Sequence, residues 1–548
     1  MMTIEQPSSR SWWREAVFYQ VCPRSFADSN HDGVGDLPGI TARLDHLAKL
    51  GVDAIWLSPF YPSPGVDFGY DVRDHCDVDP ILGTLADADV LLAQAHAGGL
   101  RVVVDFVPNH TSERHPWFLE SRRSPEDPKR HWYLWRDGKP DGAPPNNWRS
   151  VFGGPAWTLD PRTGQYYYHA YLEQQPDLNW RNPQVRQAML EVMRFWLRRG
   201  VDGFRVDALR HLIKDARLRD NPLNRGYRLG GNPYDALLPI HSADQPEIHE
   251  VIAAMRRVLD EAGGAGTADG GHVMVGELYL PIERLVRYYG QDGGGVHLPS
   301  NMHLISTPYG AGQIADLVDR YEAALPAGAW PNWVLGNHDR HRIATRVGCE
   351  QARVAAMLLL TLRGTPTLYY GDEIGMHDVP IPTGSLRDRF ERNVPGIRAG
   401  RDSERTPLQW DASPNAGFCP AGVRPWLPVA DDYRTVNVVA QTHDPGSMLS
   451  LYRRLIALRH REWALAVGSY RLVLASGDLL AYAREHAGRR LLVALNLGPQ
   501  PQVLDLGPRG LSGRICLGTR LGREGEQVHG ALPLGGDEGA IIELAKPQ

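Results

Sequence analysis

The chain has 548 residues, 42% hydrophobic and 22% charged, with a formal net charge of −5. This is the make-up of a globular protein with two to four domains, or one large domain with insertions. The mild acidity and the scatter of the basic residues give no electrostatic reason to expect nucleic acid as a partner. The N-terminal "MMTIEQPSSRSWWREAVFYQ" lacks the apolar core of a signal peptide, and "AAMLLLTL" near residue 355 is too short to cross a bilayer. A cytoplasmic protein without membrane attachment is expected. Five scattered cysteines (Cys22, Cys76, Cys349, Cys419, Cys516) suit neither a metal cluster nor a disulfide framework. The 15 Trp and 21 Tyr suit stacking on sugar faces, or the packing of a large core.

In chain order, a strand "AVFYQVCP" leads into helical "LPGITARLDHLAKLGV", where Ile40, Leu44, Leu47 and Leu50 share a face. Strand "AIWLSP", helical "LADADVLLAQAHAGG" and strand "RVVVDFVPNH" follow. The next strand comes roughly a hundred residues later, far more than a βα unit needs. That stretch is rich in aromatics (Trp117, Trp132, Trp135, Trp148, Trp157 and "YYYHAY"), and is expected to form a lid-like domain over 106–175. The amphipathic helix "PQVRQAMLEVMRFWLRRG" has Val185, Met189, Val192 and Trp196 on one face, and Gly200 ends it. Strands "DGFRVDA", "HVMVGEL", "NWVLGN" and "PTLYYGDE" follow, separated by helix-compatible sequence.

Repeated βα units with apolar strands imply a parallel sheet. The strands end in polar groups: Asp105, Asp207, Glu277, Asn337 to Asp339, and Asp372. Polar strand ends are the signature of a (β/α)₈ barrel, whose active site forms at the strand C-termini. The expected fold is therefore α/β: a TIM barrel over 1–105 and 176–466, a lid inserted after the third strand, and an antiparallel β-domain over 467–548. The last domain either caps the barrel or binds carbohydrate.

In "DGFRVDALRH", Phe204 and Val206 alternate with Arg205 and Asp207. A guanidinium and a carboxylate are costly to bury unless they are paired or used. With Glu277 in "VMVGELYL" and Asp339 in "LGNHDRH", three carboxylates stand at strand ends. Each alone could merely cap a helix. Together they offer a nucleophile and a protonated acid, the pair a retaining glycosidase needs. In "DSNHDGVGD", Asp28, Asn30 and Asp32 imitate the start of a Ca²⁺-binding EF-hand loop, but Gly39 stands where its bidentate Glu belongs. The alternative there is an Asx-rich turn.

"DFVPNH", "DGFRVDA", "GELY" and "NHD" resemble, in order, the four short regions of the α-amylase superfamily. "QPDLNW" at 175–180 resembles the further region of its oligo-1,6-glucosidase/α-glucosidase subfamily in glycoside hydrolase family 13. "DSNHDGVGDLPGI", "FGYDV" and "RTPLQWD" extend the likeness over nearly the whole chain. The resemblance implies a barrel, a lid and a C-terminal β-domain. It implies Asp207 as nucleophile, Glu277 as acid/base and Asp339 as the third, transition-state-stabilising carboxylate. It also implies His110 and His338 on the sugar, Arg205 beside the nucleophile, Asp67 and Arg405 gripping the terminal glucose, and Tyr70 and Phe152 as ring contacts.

With the Val34 carbonyl and Asp36, the loop's Asp28, Asn30 and Asp32 would hold a structural Ca²⁺ (Mg²⁺ is the alternative). The implied activity is retaining, exo-acting hydrolysis of short α-1,4-glucosides such as maltose by a monomer or homodimer. Transfer of the glucosyl group to alcohol or sugar acceptors, isomerisation, and a catalytically silent scaffold are the rival outcomes. The resemblance also implies α-1,4 rather than α-1,6 preference, through Ala208 next to the nucleophile.

Overall fold

The computed structural model describes residues 11–263, 271–394, 396, 400–507 and 510–545. Eight strands close a barrel: β1 (Phe18–Val21), β2 (Ala54–Leu57), β3 (Arg101–Phe106), β7 (Gly203–Val206), β8 (Val273–Gly276), β9 (Leu298–Asn301), β10 (Asn332–Val334) and β11 (Thr365–Tyr369). Every neighbouring pair is parallel, and β1 closes the ring on β11. Seven of these strands match apolar runs picked out above. The eighth, β9, has the sequence LPSN, and its proline and polar residues hide it from any apolar-run criterion.

The helix Pro183–Arg199 buries Val185, Met189, Val192 and Trp196, as its periodicity requires. Gly200 ends it at φ 101°, a left-handed conformation that favours glycine. Three residues on, Gly203 opens β7 so close to β8 that an added Cβ would stand 2.2 Å from the Val273 carbonyl oxygen. The strand carrying the site's arginine is thus seated against its neighbour by a missing side chain. By contrast, "LPGITARLDHLAKLGV" forms two helices, Leu37–Ala42 and Leu44–Leu50, broken at Arg43.

Between β3 and β7 the chain forms a small antiparallel sheet of β4 (Trp135–Arg136), β5 (Trp157–Asp160) and β6 (Gln165–Tyr168), in the order β4-β6-β5. Its aromatic residues pack mainly on one another: Trp148, Trp157 and Tyr168 share one buried cluster. Asn147 and Trp148 hydrogen-bond the long loop after β7, through Asp220, Asn221 and Arg219. The insert is therefore tied to the barrel mouth.

After the helix Met448–Arg461, eight strands make one antiparallel sheet: β12 (Ser469–Ser476), β13 (Leu479–His486), β14 (Arg489–Asn496), β15 (Gln502–Asp505), β16 (Ser512–Gly518), β17 (Gln527–His529), β18 (Ala531–Leu534) and β19 (Gly539–Leu544). Leu480, Tyr482, Val493 and Ile541 join the same buried cluster as the barrel's helices. Arg484, fully buried, donates to the carbonyls of Thr361 and Gly468. The sheet thus caps one side of the barrel.

Candidate active site

Arg205 on β7 organises the barrel mouth. Its Nη1 donates to Asp105 Oδ1 (2.9 Å) at the end of β3 and to Asp207 Oδ1 (2.8 Å) just beyond β7. Its Nη2 lies 3.1 Å from Glu277 Oε2, just beyond β8. The guanidinium also rests 4.9 Å from the centre of the Trp56 ring. A side chain 2% exposed is thus paired on three sides, which offsets the cost of burying its charge. The backbone N–H of Ala208 donates to Glu277 Oε2 as well (2.9 Å). Among the described residues, Asp207 Oδ2 and Glu277 Oε1 have no hydrogen-bond partner, so each carboxylate offers one oxygen to a substrate.

A guanidinium beside a carboxylate lowers the carboxylate's pKa. Arg205 does pull Asp207 in that direction but is outweighed. Burial first, and then the charge of Glu277, push the Asp207 carboxyl well above the usual carboxylate range. The two negative charges repel, so the Asp207 carboxylate forms most easily when Glu277 is neutral. Asp339 is the opposite case. Burial opposes its ionisation, but His338, Arg401 and Arg405 beside it hold the carboxyl well below the usual range. Because burial also keeps His338 neutral, the two guanidiniums carry most of that effect at neutral pH.

A cavity of about 570 Å³ opens onto these groups, lined by Asp67, Tyr70, His110, Phe152, Asp207, Ala208, Glu277, His338, Asp339 and Arg401. Gln20 Nε2 lies 2.7 Å from His338 Nδ1, which makes Nδ1 an acceptor. His338 Nε2–H then donates to the Tyr70 hydroxyl (2.7 Å), which donates to Asp105 Oδ2 (3.0 Å). Tyr70 and His338 stack at 5.4 Å and 5°. Tyr70 is therefore a fixed wall of the cavity.

Asp67 and Arg405, expected together on the terminal glucose, do not pair with each other. The arginine on Asp67 is Arg401, with Nη2 on Asp67 Oδ1 at 2.7 Å. Arg401 also reaches Asp339 (3.1 Å) and Asp388 (2.8 Å) and lies 4.6 Å from the centre of the Phe152 ring. Arg405 stands behind it, donating to the His338 carbonyl (2.6 Å) and to Asp339 Oδ1 (2.8 Å). "RDSERTP" holds both arginines, and spacing alone could not tell which one faces the cavity. Phe390, 4.9 Å from Phe152, carried no distinguishing sequence signal, and Gln175, bonded to Asp67 Oδ2 at 3.0 Å, opens the "QPDLNW" segment without having been assigned a role. Asp372, another polar strand end, is buried away from the cavity; burial pushes its carboxyl up to about 7.

The family described as "Alpha amylase, catalytic domain" matches residues 20–468. The chain belongs to the alpha-amylase family. Among its relatives are a probable alpha-glucosidase of Rhizobium meliloti (strain 1021), 42% identical over 92% of this chain and 94% of its own, and an oligo-1,6-glucosidase of Parageobacillus thermoglucosidasius, 39% identical over 91% and 92%. Of solved structures, an alpha-glucosyl transfer enzyme superposes with a TM-score of 0.91 at 41% identity, covering 98% of this chain and all of its own. The trehalulose synthase of Pseudomonas mesoacidophila MX-45 gives 0.89 at 34% identity, covering 98% of this chain and all of its own.

In this alpha-amylase-family chain, the loop at 28–36 lies apart from the cavity-lining residues. Asp28 accepts from the N–H groups of His31 (2.7 Å) and Gly33 (2.9 Å), and Asp32 from that of Val34 (2.8 Å). Asn30 accepts from the N–H of Asp32 (3.0 Å), and Asp36 from those of Gly39 (2.6 Å) and Ser29 (3.1 Å). With the Val34 carbonyl the donors are all oxygens, and a carboxylate oxygen bonded to one N–H keeps a further lone pair. Such a set fits a hard cation, not a transition metal.

Proposed function

We propose that this protein is a retaining, exo-acting α-glucosidase acting on short α-1,4-glucosides such as maltose. One observation carries the reading: Arg205 bridges Asp207 and Glu277, leaving each with one free oxygen in a cavity walled by the Asp67–Arg401 pair. Asp207 Oδ2 attacks the anomeric carbon as the glycosidic C–O bond breaks. The proton on Glu277 Oε1 passes to the leaving oxygen. Asp339, kept ionised by its arginines, faces the positive charge that develops on the sugar ring. In the second half Glu277 takes a proton from water, which displaces Asp207 and releases glucose. Asp67 and Arg401 present a charged wall to the hydroxyls of the terminal glucose, which stops the chain from threading through and confines cleavage to the end.

The same intermediate can pass to an alcohol or a sugar instead of water, and the likeness to an alpha-glucosyl transfer enzyme supports some activity of that kind. The glucosidase relatives support hydrolysis as the main outcome. Product analysis on maltose, with and without an added alcohol, tests the reading. Glucose as the main product without alcohol is expected, and an isomeric disaccharide as the main product would overturn it.

We further propose that the 28–36 loop takes a structural Ca²⁺ through Asp28, Asn30, Asp32, the Val34 carbonyl and Asp36, outside the reaction itself. A cytoplasmic monomer or homodimer is the proposed form, supported by five cysteines that are all free thiols.

A further inference from the structure

The proposed mechanism leaves a buried lysine unused. Lys214, 2% exposed, lies seven residues past the nucleophile on the loop after β7. Its Nζ pairs with Asp177 Oδ2 and donates to Asn109 Oδ1 at 3.0 Å. Asp177 belongs to "QPDLNW" at the end of the inserted segment, and Asn109 precedes His110 after β3. Both are fully buried. Replacing a buried ion pair by apolar groups of equal size is often neutral or stabilising, so stability alone does not account for this one.

The pair instead dictates the orientation of one amide. Asn109 Oδ1 faces the ammonium, and its Nδ2 donates to Asp177 Oδ2 at 3.0 Å. Turning the amide over would set NH₂ against NH₃⁺ and oxygen against carboxylate, so it cannot turn. Its second N–H therefore points at His110 Nδ1, 3.2 Å away, and makes that nitrogen an acceptor. The ring is neutral, since burial drives its pKa down to about 4, so its single proton must sit on Nε2. Nε2 itself stands between the Tyr70 carbonyl (3.1 Å), which accepts, and the Gln175 amide Nε2 (3.2 Å), which donates, so the Asn109 N–H at Nδ1 decides between the two tautomers.

We propose that Lys214 is a positioning residue: through Asp177 and Asn109 it fixes His110 as an Nε2–H donor beside the glucose-binding cavity. The part concerning glucose rests on the function proposed above; the tautomer does not. The relay joins three sequence regions that would otherwise be separate, on the β3 loop, the insert and the β7 loop.

Neutron crystallography of the wild-type protein at neutral pH tests it first. Nuclear density for hydrogen on His110 Nε2 alone is expected, and density on Nδ1 would overturn the relay even if no variant folds. The variant Lys214→Met/Asp177→Asn removes both charges together, so that no buried charge is left unpaired. In it the Asn109 amide is free to turn, and hydrogen should appear on His110 Nδ1. A proton remaining on Nε2 alone would overturn the proposal. KM for maltose should rise about tenfold, because His110 then turns an acceptor instead of a donor towards the cavity, with a smaller change in kcat. A shifted proton with unchanged KM would uphold the relay and instead contradict the role of His110 on the sugar.

Discussion

Ala208 adopts φ 50°, ψ 28°, a left-handed conformation uncommon for a residue with a Cβ. The turn directs its N–H at Glu277 while its side chain borders the cavity beside the nucleophile. In the resembled subfamily, valine at this place accompanies α-1,6 cleavage and smaller residues α-1,4. The wild type should therefore favour maltose over isomaltose in kcat/KM. Ala208→Val should shift that ratio towards isomaltose, by roughly the 1–3 kcal/mol that one or two methyl groups carry in a pocket. Ala208 already bears the Cβ cost of the left-handed region, and branching at Cβ adds further crowding there, so Tm should fall. A wild-type preference for isomaltose would sink the assignment. Glu277 invites a sharper test, because general acid help matters only to a poor leaving group. Glu277→Gln should cut turnover of maltose by about 10² to 10⁴-fold and that of an activated aryl glucoside much less. Equal losses on both would mean that Glu277 is not the acid.

Elements with strong periodicity were legible from sequence, and those shaped by close approach were not. The helix Pro183–Arg199 and strand β7 follow from apolar spacing and Gly200, whereas β9 is strand only because β8 and β10 flank it and supply hydrogen bonds. The same limit held in the site. Short motifs identified the strand-end carboxylates, while the choice of Arg401 over Arg405 depends on how one loop folds over the cavity. The 28–36 loop is an element whose proposed ion can be removed. If it holds Ca²⁺, chelation by EDTA should lower Tm, added Ca²⁺ should restore it, and Asp32→Ala should abolish the difference. A Tm unmoved by chelator in protein shown by elemental analysis to be free of metal would leave the loop as an Asx-rich turn.

Across the whole molecule, the site is assembled from parts far apart in sequence: Asp67 before β3, the carboxylates after β7, β8 and β10, and Arg401 beyond β11. The barrel gathers these ends around one cavity, and the C-terminal sheet braces it through the buried contacts of Tyr482 with Thr361 and of Arg484 with backbone carbonyls. The catalytic regions were readable because chemistry fixes their residue types. What they could not supply was the balance of charge: Asp207 titrates high and Asp339 low because of neighbours that only the fold brings together. In the proposed reaction Asp207 and Glu277 act as one pair through a covalent glucosyl intermediate. Proton NMR of maltose hydrolysis, recorded before the released sugar mutarotates, tests it most directly. Displacement through the glucosyl intermediate gives α-glucose as the first product, and β-glucose appearing first would rule it out.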